Sequence, residues 1–208
     1  MRPFARRTVL VAAATLALAA CGGNKGGGAT DLSQDMSIGQ PNAPVTVIEY
    51  ASVTCPHCAA WNEGVFPDFK KKYVDTGKVR YVMRETNIHG APDVAGYLLA
   101  RCAPKEKYFD VIDGIMRAQN DLGQQFENTR AVYGAIARSV GMSDAQFSAC
   151  ITDPKKIEAL NERMAKQQQE FEVGGTPTFI INGKKMGYTA PPTLDEISAD
   201  IDPLLAKK

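Results

Sequence analysis

Val45-Thr46-Val47-Ile48-Glu49-Tyr50, then Cys55-Pro56-His57-Cys58, then the segment Ala59 to Tyr73 decide the fold of this chain. The first run is largely apolar and bounded by turn residues, which reads as a buried strand. The last reads as a helix. A Cys-x-x-Cys at a strand-to-helix junction sets two thiols one helical turn apart, close enough for a disulfide without large backbone movement. The first sulfur lies at the helix N-terminus, where free N–H groups and the helix dipole favour negative charge. A thiolate is stabilised there, and the thiolate is the attacking species. His57 adds a third stabiliser if its ring, or its backbone N–H, points at Cys55.

Two plainer readings compete. A structural zinc site wants four ligands, commonly with a second close pair. The sequence has no second Cys-x-x-Cys, and its other histidine is His89. A purely structural disulfide across so short a loop constrains the unfolded chain little. Redox chemistry is the leading reading, with no metal and no cofactor expected.

The same residues carry a resemblance. Val47-Ile48-Glu49-Tyr50, Cys55-Pro56-His57-Cys58 and Val173-Gly174-Gly175-Thr176-Pro177-Thr178-Phe179-Ile180-Ile181-Asn182-Gly183 together resemble DsbA-like thiol:disulfide oxidoreductases of the thioredoxin superfamily, from about Met36 to the C-terminus. The resemblance implies an α/β thioredoxin-like fold, a central mixed sheet flanked by helices, with an inserted helical subdomain. It implies Cys55 and Cys58 as the catalytic pair, with Pro56 and His57 in support. Glu49, six residues before Cys55, is implied to lie under the site and help move protons. The alternative is a solvent-facing acid on an alternating strand. Pro177 is implied to be cis, with the Thr176-Pro177 loop held against the cysteines so that its backbone pairs with an extended substrate. Many oxidases of the family have Val where this chain has Thr176, and Thr occurs there in isomerases and reductases. The preferred direction of exchange therefore stays open at this point.

The rest of the chain fits one domain over 36–208 of the 208 residues, and a net charge of +1 gives no hint of nucleic acid. Met36 to Ile38 reads as an edge strand and Val79 to Met83 as another. Pro67 should kink the helix that follows the cysteines. From about 91 to 172 the apolar spacing is helical throughout, with a capping box at Ser143 and Gln146 and a helix start at Asp153-Pro154. So many helices exceed the one crossover a thioredoxin core has room for. Asn182-Gly183 is a hairpin signal, and Thr193 with Glu196 caps a final helix.

The N-terminus reads as a targeting segment, residues 1–20. Arg2, Arg6 and Arg7 precede Thr8 to Ala20, an uncharged stretch of 13 residues. A membrane span needs about 20, whereas a signal-peptide core is shorter. Leu18-Ala19-Ala20-Cys21 resembles a bacterial lipobox, cleaved before a lipidated Cys21; ordinary signal cleavage is the alternative. Arg6-Arg7 loosely resembles a twin-arginine signal, and the export route stays open. The Gly-rich stretch 21–35 reads as a flexible tether. The expected location is the cell envelope, facing the periplasm, lipid-anchored to a membrane.

Of five cysteines, Cys21 goes to lipid and Cys55 with Cys58 to the active pair. Cys102 and Cys150 remain, both on helices of the insertion, and in an oxidising compartment they should pair. Closing a loop of about 49 residues contributes up to about 4 kcal/mol. The alternative is two buried free thiols. Expected partners are exported proteins with cysteines and a DsbB-like membrane protein that reoxidises the pair. A monomer is expected. An isomerase or reductase would use the same site, but such isomerases usually dimerise through an extra N-terminal domain, and here only the tether precedes the fold. A non-catalytic binding module on the same scaffold is the third class, and the intact Cys-Pro-His-Cys argues against it.

Overall fold

The computed structural model describes residues 30–206. The expected signal peptide at 1–20, Cys21 and the tether up to residue 29 lie outside the described residues.

Five strands form one mixed sheet, in the order β1-β3-β2-β4-β5. They are β1 (Met36–Ile38), β2 (Val45–Ala51), β3 (Val79–Glu85), β4 (Thr178–Ile181) and β5 (Lys184–Lys185). β2 and β3 run parallel, with Val45 opposite Val79. A parallel pair needs a crossover, which α1 (Pro56–Gly64) and α2 (Phe66–Phe69) supply. Pro67 lies in the first turn of α2, and the expected kink is an interruption at Val65, where φ is −118°, followed by a π-helical turn from Lys70 to Val74. β4 pairs antiparallel with β2, and β5 folds back on β4 through Asn182 and Gly183. Both turn residues have positive φ, 46° and 80°, the geometry that makes Asn-Gly a hairpin signal.

Both faces of the sheet are covered. Side chains alternate along a strand, so Val45, Val47, Glu49 and Ala51 share the face under α1. That face meets Trp61, Phe69, Tyr81 and Phe179 in the main core. Trp61 is its centre, 4.9 Å from Phe179 and stacked on Tyr81, with its indole N–H donating to the Pro192 carbonyl at 3.1 Å. The opposite face buries Ile48, Tyr50, Val82 and Ile180 beneath Leu32, Phe171 and Val173.

Five helices lie between β3 and β4: α3 (Ala91–Cys102), α4 (Tyr108–Arg117), α5 (Thr129–Ser139), α6 (Asp144–Ile151) and α7 (Pro154–Glu170). α8 (Leu194–Leu205) closes the domain. Both expected capping boxes form, at Ser143 and at Thr193, and Asp153 caps α7. Cys102 and Cys150 are disulfide-bonded, with Cα atoms 6.4 Å apart, and join α3 to α6. No described helix is long and apolar enough to cross a membrane.

The tether ends earlier than the sequence suggests. Leu32 packs on the second face of the sheet. Arg84, 1% exposed, donates through Nε to Asp35 at 3.0 Å, through Nη1 to Glu170 and to the Tyr50 hydroxyl at 2.6 Å each, and through Nη2 to the Asp31 carbonyl at 3.2 Å. Gln167 also donates to Asp35. Composition alone hides this docking, because these partners of residues 31–35 lie 49 and more positions away. The Arg84 charge tolerates burial only with such partners. Arg84→Leu should cost about 3–5 kcal/mol by leaving Asp35 buried and unpaired, read as a lower urea midpoint at unchanged slope. A loss below about 1 kcal/mol, the scale of a surface pair, would show that water reaches the Asp35 carboxylate.

Candidate active site

The Cys-x-x-Cys opens α1, as its strand-to-helix setting implies. Cys55 is the N-cap residue and Pro56 stands at the first helical position, where proline's missing N–H costs nothing. The two sulfurs have unequal surroundings. Cys58 is fully buried, while Cys55 keeps 7% of its surface and Pro56 and His57 are exposed. Cys55 thus meets solvent at one edge and is less open than a fully exposed nucleophile.

That inequality separates their acidities. Cys55 is lowered to about 5, chiefly by the hydrogen bond from the Cys58 thiol. Partial burial opposes the shift, and the Thr176 side chain and the backbone N–H groups of Cys58 and His57 assist it. Burial pushes the Cys58 thiol far up, so it stays protonated and serves as the donor. The arrangement is a buried thiol stabilising a rim thiolate.

His57 departs from one of the two roles open to it. Its backbone N–H aids Cys55, but the ring is exposed and makes no described hydrogen bond to the sulfur. A donor at that position comes from the helix start and does not need imidazole. Thr176-Pro177 is a cis peptide, and the Thr176 carbonyl lies 3.4 Å from Cys55 Sγ, where it accepts from the sulfur when that is protonated. The loop before β4 therefore lies against Cys55.

Glu49 is 1% exposed, which excludes the solvent-facing reading. Tyr81 donates its hydroxyl to Glu49 Oε2 at 2.5 Å. Burial raises the carboxyl to about 8; the Tyr81 bond opposes this and the Cys55 charge adds to it. A charge on Glu49 pushes the Cys58 thiol up further. A carboxyl near 8 beneath two sulfurs can hold or release a proton at neutral pH. Among the described residues, no group of three His, Cys, Asp or Glu is placed to hold a metal.

Other residues at the site carry no local sequence signal. Gln119, in a 3₁₀ turn after α4, donates its side-chain amide to the Val53 carbonyl at 2.8 Å and the Cys55 carbonyl at 3.1 Å. Asp93 binds Ser52 and Thr54, and His89 binds Thr54. Their sequence distances from the cysteines leave no pattern to read.

A thioredoxin family model matches residues 31–203. The chain belongs to the thioredoxin family. Within this family it is similar to a Rickettsia conorii protein named protein-disulfide oxidoreductase, at 33% identity over 176 residues. That match covers 84% of this chain and 61% of the relative, so the chain spans less than two thirds of that protein's length. Disulfide bond formation protein D of Bacillus subtilis is 26% identical, over 82% of this chain and 77% of its own. The crystal structure of Wolbachia pipientis alpha-DsbA1 superposes with a TM-score of 0.78 at 27% identity, covering 85% of this chain and 94% of that one. The thioredoxin-like sheet, the helical insertion and the DsbA-like resemblance thus agree.

The acidities fix a pH signature. In the reduced domain the lowered Cys55 value adds stability that is full above the free-thiol range and is lost as pH falls through about 5. Glu49 runs the other way, costing nothing below its ordinary value of 4.5 and destabilising increasingly as pH rises from there to about 8. The reduction potential should fall by ~59 mV per pH unit where two protons accompany two electrons, and by ~30 mV where one does. The break should lie near the Cys55 value of about 5. A break at a free thiol's value of about 8.5 would mean Cys55 is not held as a thiolate. His57→Ala leaves the backbone N–H in place. Its Cys55 titration should therefore move by well under the one to two units, roughly, that a bond worth about 1.5–3 kcal/mol would give.

Proposed function

We infer that this domain is a protein thiol:disulfide oxidoreductase that donates a Cys55–Cys58 disulfide to cysteine-bearing proteins. The observation that carries this is the inequality of the two sulfurs. A substrate thiolate attacks Cys55 Sγ, the accessible sulfur, and the Cys55–Cys58 bond breaks. Cys58 leaves with the electron pair and takes a proton, and we assign its supply to Glu49, whose raised carboxyl value supports that role. The substrate's second thiolate then attacks its own sulfur in the mixed disulfide and expels Cys55 as a thiolate. Two electrons have passed from substrate to enzyme. Because only the reduced form has a thiolate to stabilise, the low Cys55 value favours reduction of the enzyme and so oxidation of the substrate.

The cis Thr176-Pro177 loop fits the role of pairing with an extended substrate beside Cys55. Thr176 also favours a second reading, isomerisation or reduction at the same site, because the family's oxidases often carry Val there. The wider setting follows the N-terminal sequence: cleavage before a lipidated Cys21, a tether shortened to about 21–30, and a monomeric domain facing the periplasm. Exported proteins would be its substrates, and a DsbB-like membrane protein would return the pair to the disulfide.

Cys55→Ser should abolish dithiol oxidation, whereas Cys58→Ser should accumulate mixed disulfides with substrate, seen on non-reducing gels. Equal trapping by Cys55→Ser would reverse the roles. A reduction potential near that of reducing thioredoxins, about −270 mV, would favour the reductase reading; one near DsbA's, about −120 mV, the oxidase reading.

A further inference from the structure

Asp93 is 0% exposed in the first turn of α3, and no step of the exchange uses it. Its Oδ1 accepts from Ser52 Oγ at 2.7 Å, from Thr54 Oγ1 at 2.9 Å and from the Thr54 backbone N–H at 3.3 Å. Its Oδ2 accepts from the backbone N–H groups of Ile88 and His89, both at 2.9 Å. A buried carboxylate persists only with such donors. Here three of them come from the turn before the active cysteine. That turn is closed by the Cys55 N–H, which donates to the Ser52 carbonyl at 3.2 Å.

The same hydroxyl reaches the rim. His89 Nδ1 lies 2.7 Å from Thr54 Oγ1, so the hydroxyl that bonds Asp93 is also shared with an imidazole ring. Ser52 Oγ, 3.1 Å from Thr54 Oγ1, closes the group. The ring also packs against Phe126, tilted at 41° with centroids 5.2 Å apart. Phe126 adopts φ 59°, a left-handed conformation that bulky residues rarely take. An exposed imidazole is thus held from two sides beside the residue that precedes Cys55.

We propose that Asp93 is a positioning residue of the active site. Through Ser52 and Thr54 it fixes the turn that presents Cys55 to the N–H groups of His57 and Cys58, and through Thr54 it holds the His89 ring at the rim. This rests on the thiol–disulfide reading of Cys55 and Cys58.

Asp93→Asn keeps size and one acceptor but sets an amide NH₂ against two N–H donors. Thr54→Val removes the hydroxyl at similar shape, and Thr54→Ser restores it. The readouts, on the full domain, are the thiolate absorbance titration of Cys55 and the equilibrium with glutathione. Asp93→Asn and Thr54→Val should raise the Cys55 pKa by about one unit and make the domain a roughly tenfold weaker oxidant, equal to ~30 mV. Thr54→Ser should return both towards wild type. Variants that lose thermal stability while both redox readouts stay at wild-type values would overturn the proposal, leaving Asp93 as a fold anchor. Should Asp93→Asn not fold, the Thr54→Val and Thr54→Ser pair decides, since the Thr54 hydroxyl is the link to His89. A wild-type domain that exchanges with no glutathione would instead sink the underlying reading.

Discussion

Two sulfurs one helical turn apart, in unequal surroundings, are the constraint on which the rest of this structure depends. A thiol shut away from water resists ionisation. A sulfur at a helix start, with that thiol and free N–H groups pointing at it, ionises easily. Cys58 and Cys55 are these two cases, and each needs the other, since Cys58 is the main donor to Cys55. If Cys58 were exposed, it would lose its preference for the proton and the pair would lose its asymmetry.

Keeping Cys58 dry requires a core on the α1 face of the sheet, and Trp61 is the centre of that core. It lies three residues after Cys58 on the same helix and packs against Phe66, Phe69, Tyr81 and Phe179. The same packing traps Glu49, whose strand position points it under α1. Its carboxyl finds a phenol there and no cation. Without a cation to hold the charged form, burial dominates and the proton stays to near neutral pH. A solvent-facing acid would have ionised several units lower and could not serve a buried sulfur.

Much of this was legible in the sequence because its signals are local. The Cys-x-x-Cys after an apolar run, Pro67, Asn182-Gly183 and the boxes at Ser143 and Thr193 each report a backbone state within a few residues. The Cys102–Cys150 pairing followed from what the other cysteines were needed for. Glu49 was ambiguous, because alternation places it on a face without saying whether that face is covered. The tether boundary was misplaced for a related reason. Asp31 and Asp35 look like linker residues until Arg84, on a strand some fifty residues later, is seen to need them. Asp93, Gln119 and His89 were silent, since a hydrogen bond across 35 or more residues leaves no period and no motif.

Those silent residues explain why the helical insertion belongs to the site. The segment from Ser52 to Cys55 leaves the sheet before the helix begins, so its carbonyls and N–H groups have few partners in strand or helix, and buried polar groups left unpaired are costly. Gln119 answers the carbonyls of Val53 and Cys55, and Asp93 answers the N–H of Thr54. Both come from the segment between β3 and β4. The fit is close at Gly96, where an added Cβ would stand 2.8 Å from a Val53 methyl. α3 can lie against the active-site turn only because that position is glycine. A core with a single crossover would leave this turn to water, and Cys55 would be held only by its helix and the Thr176-Pro177 loop.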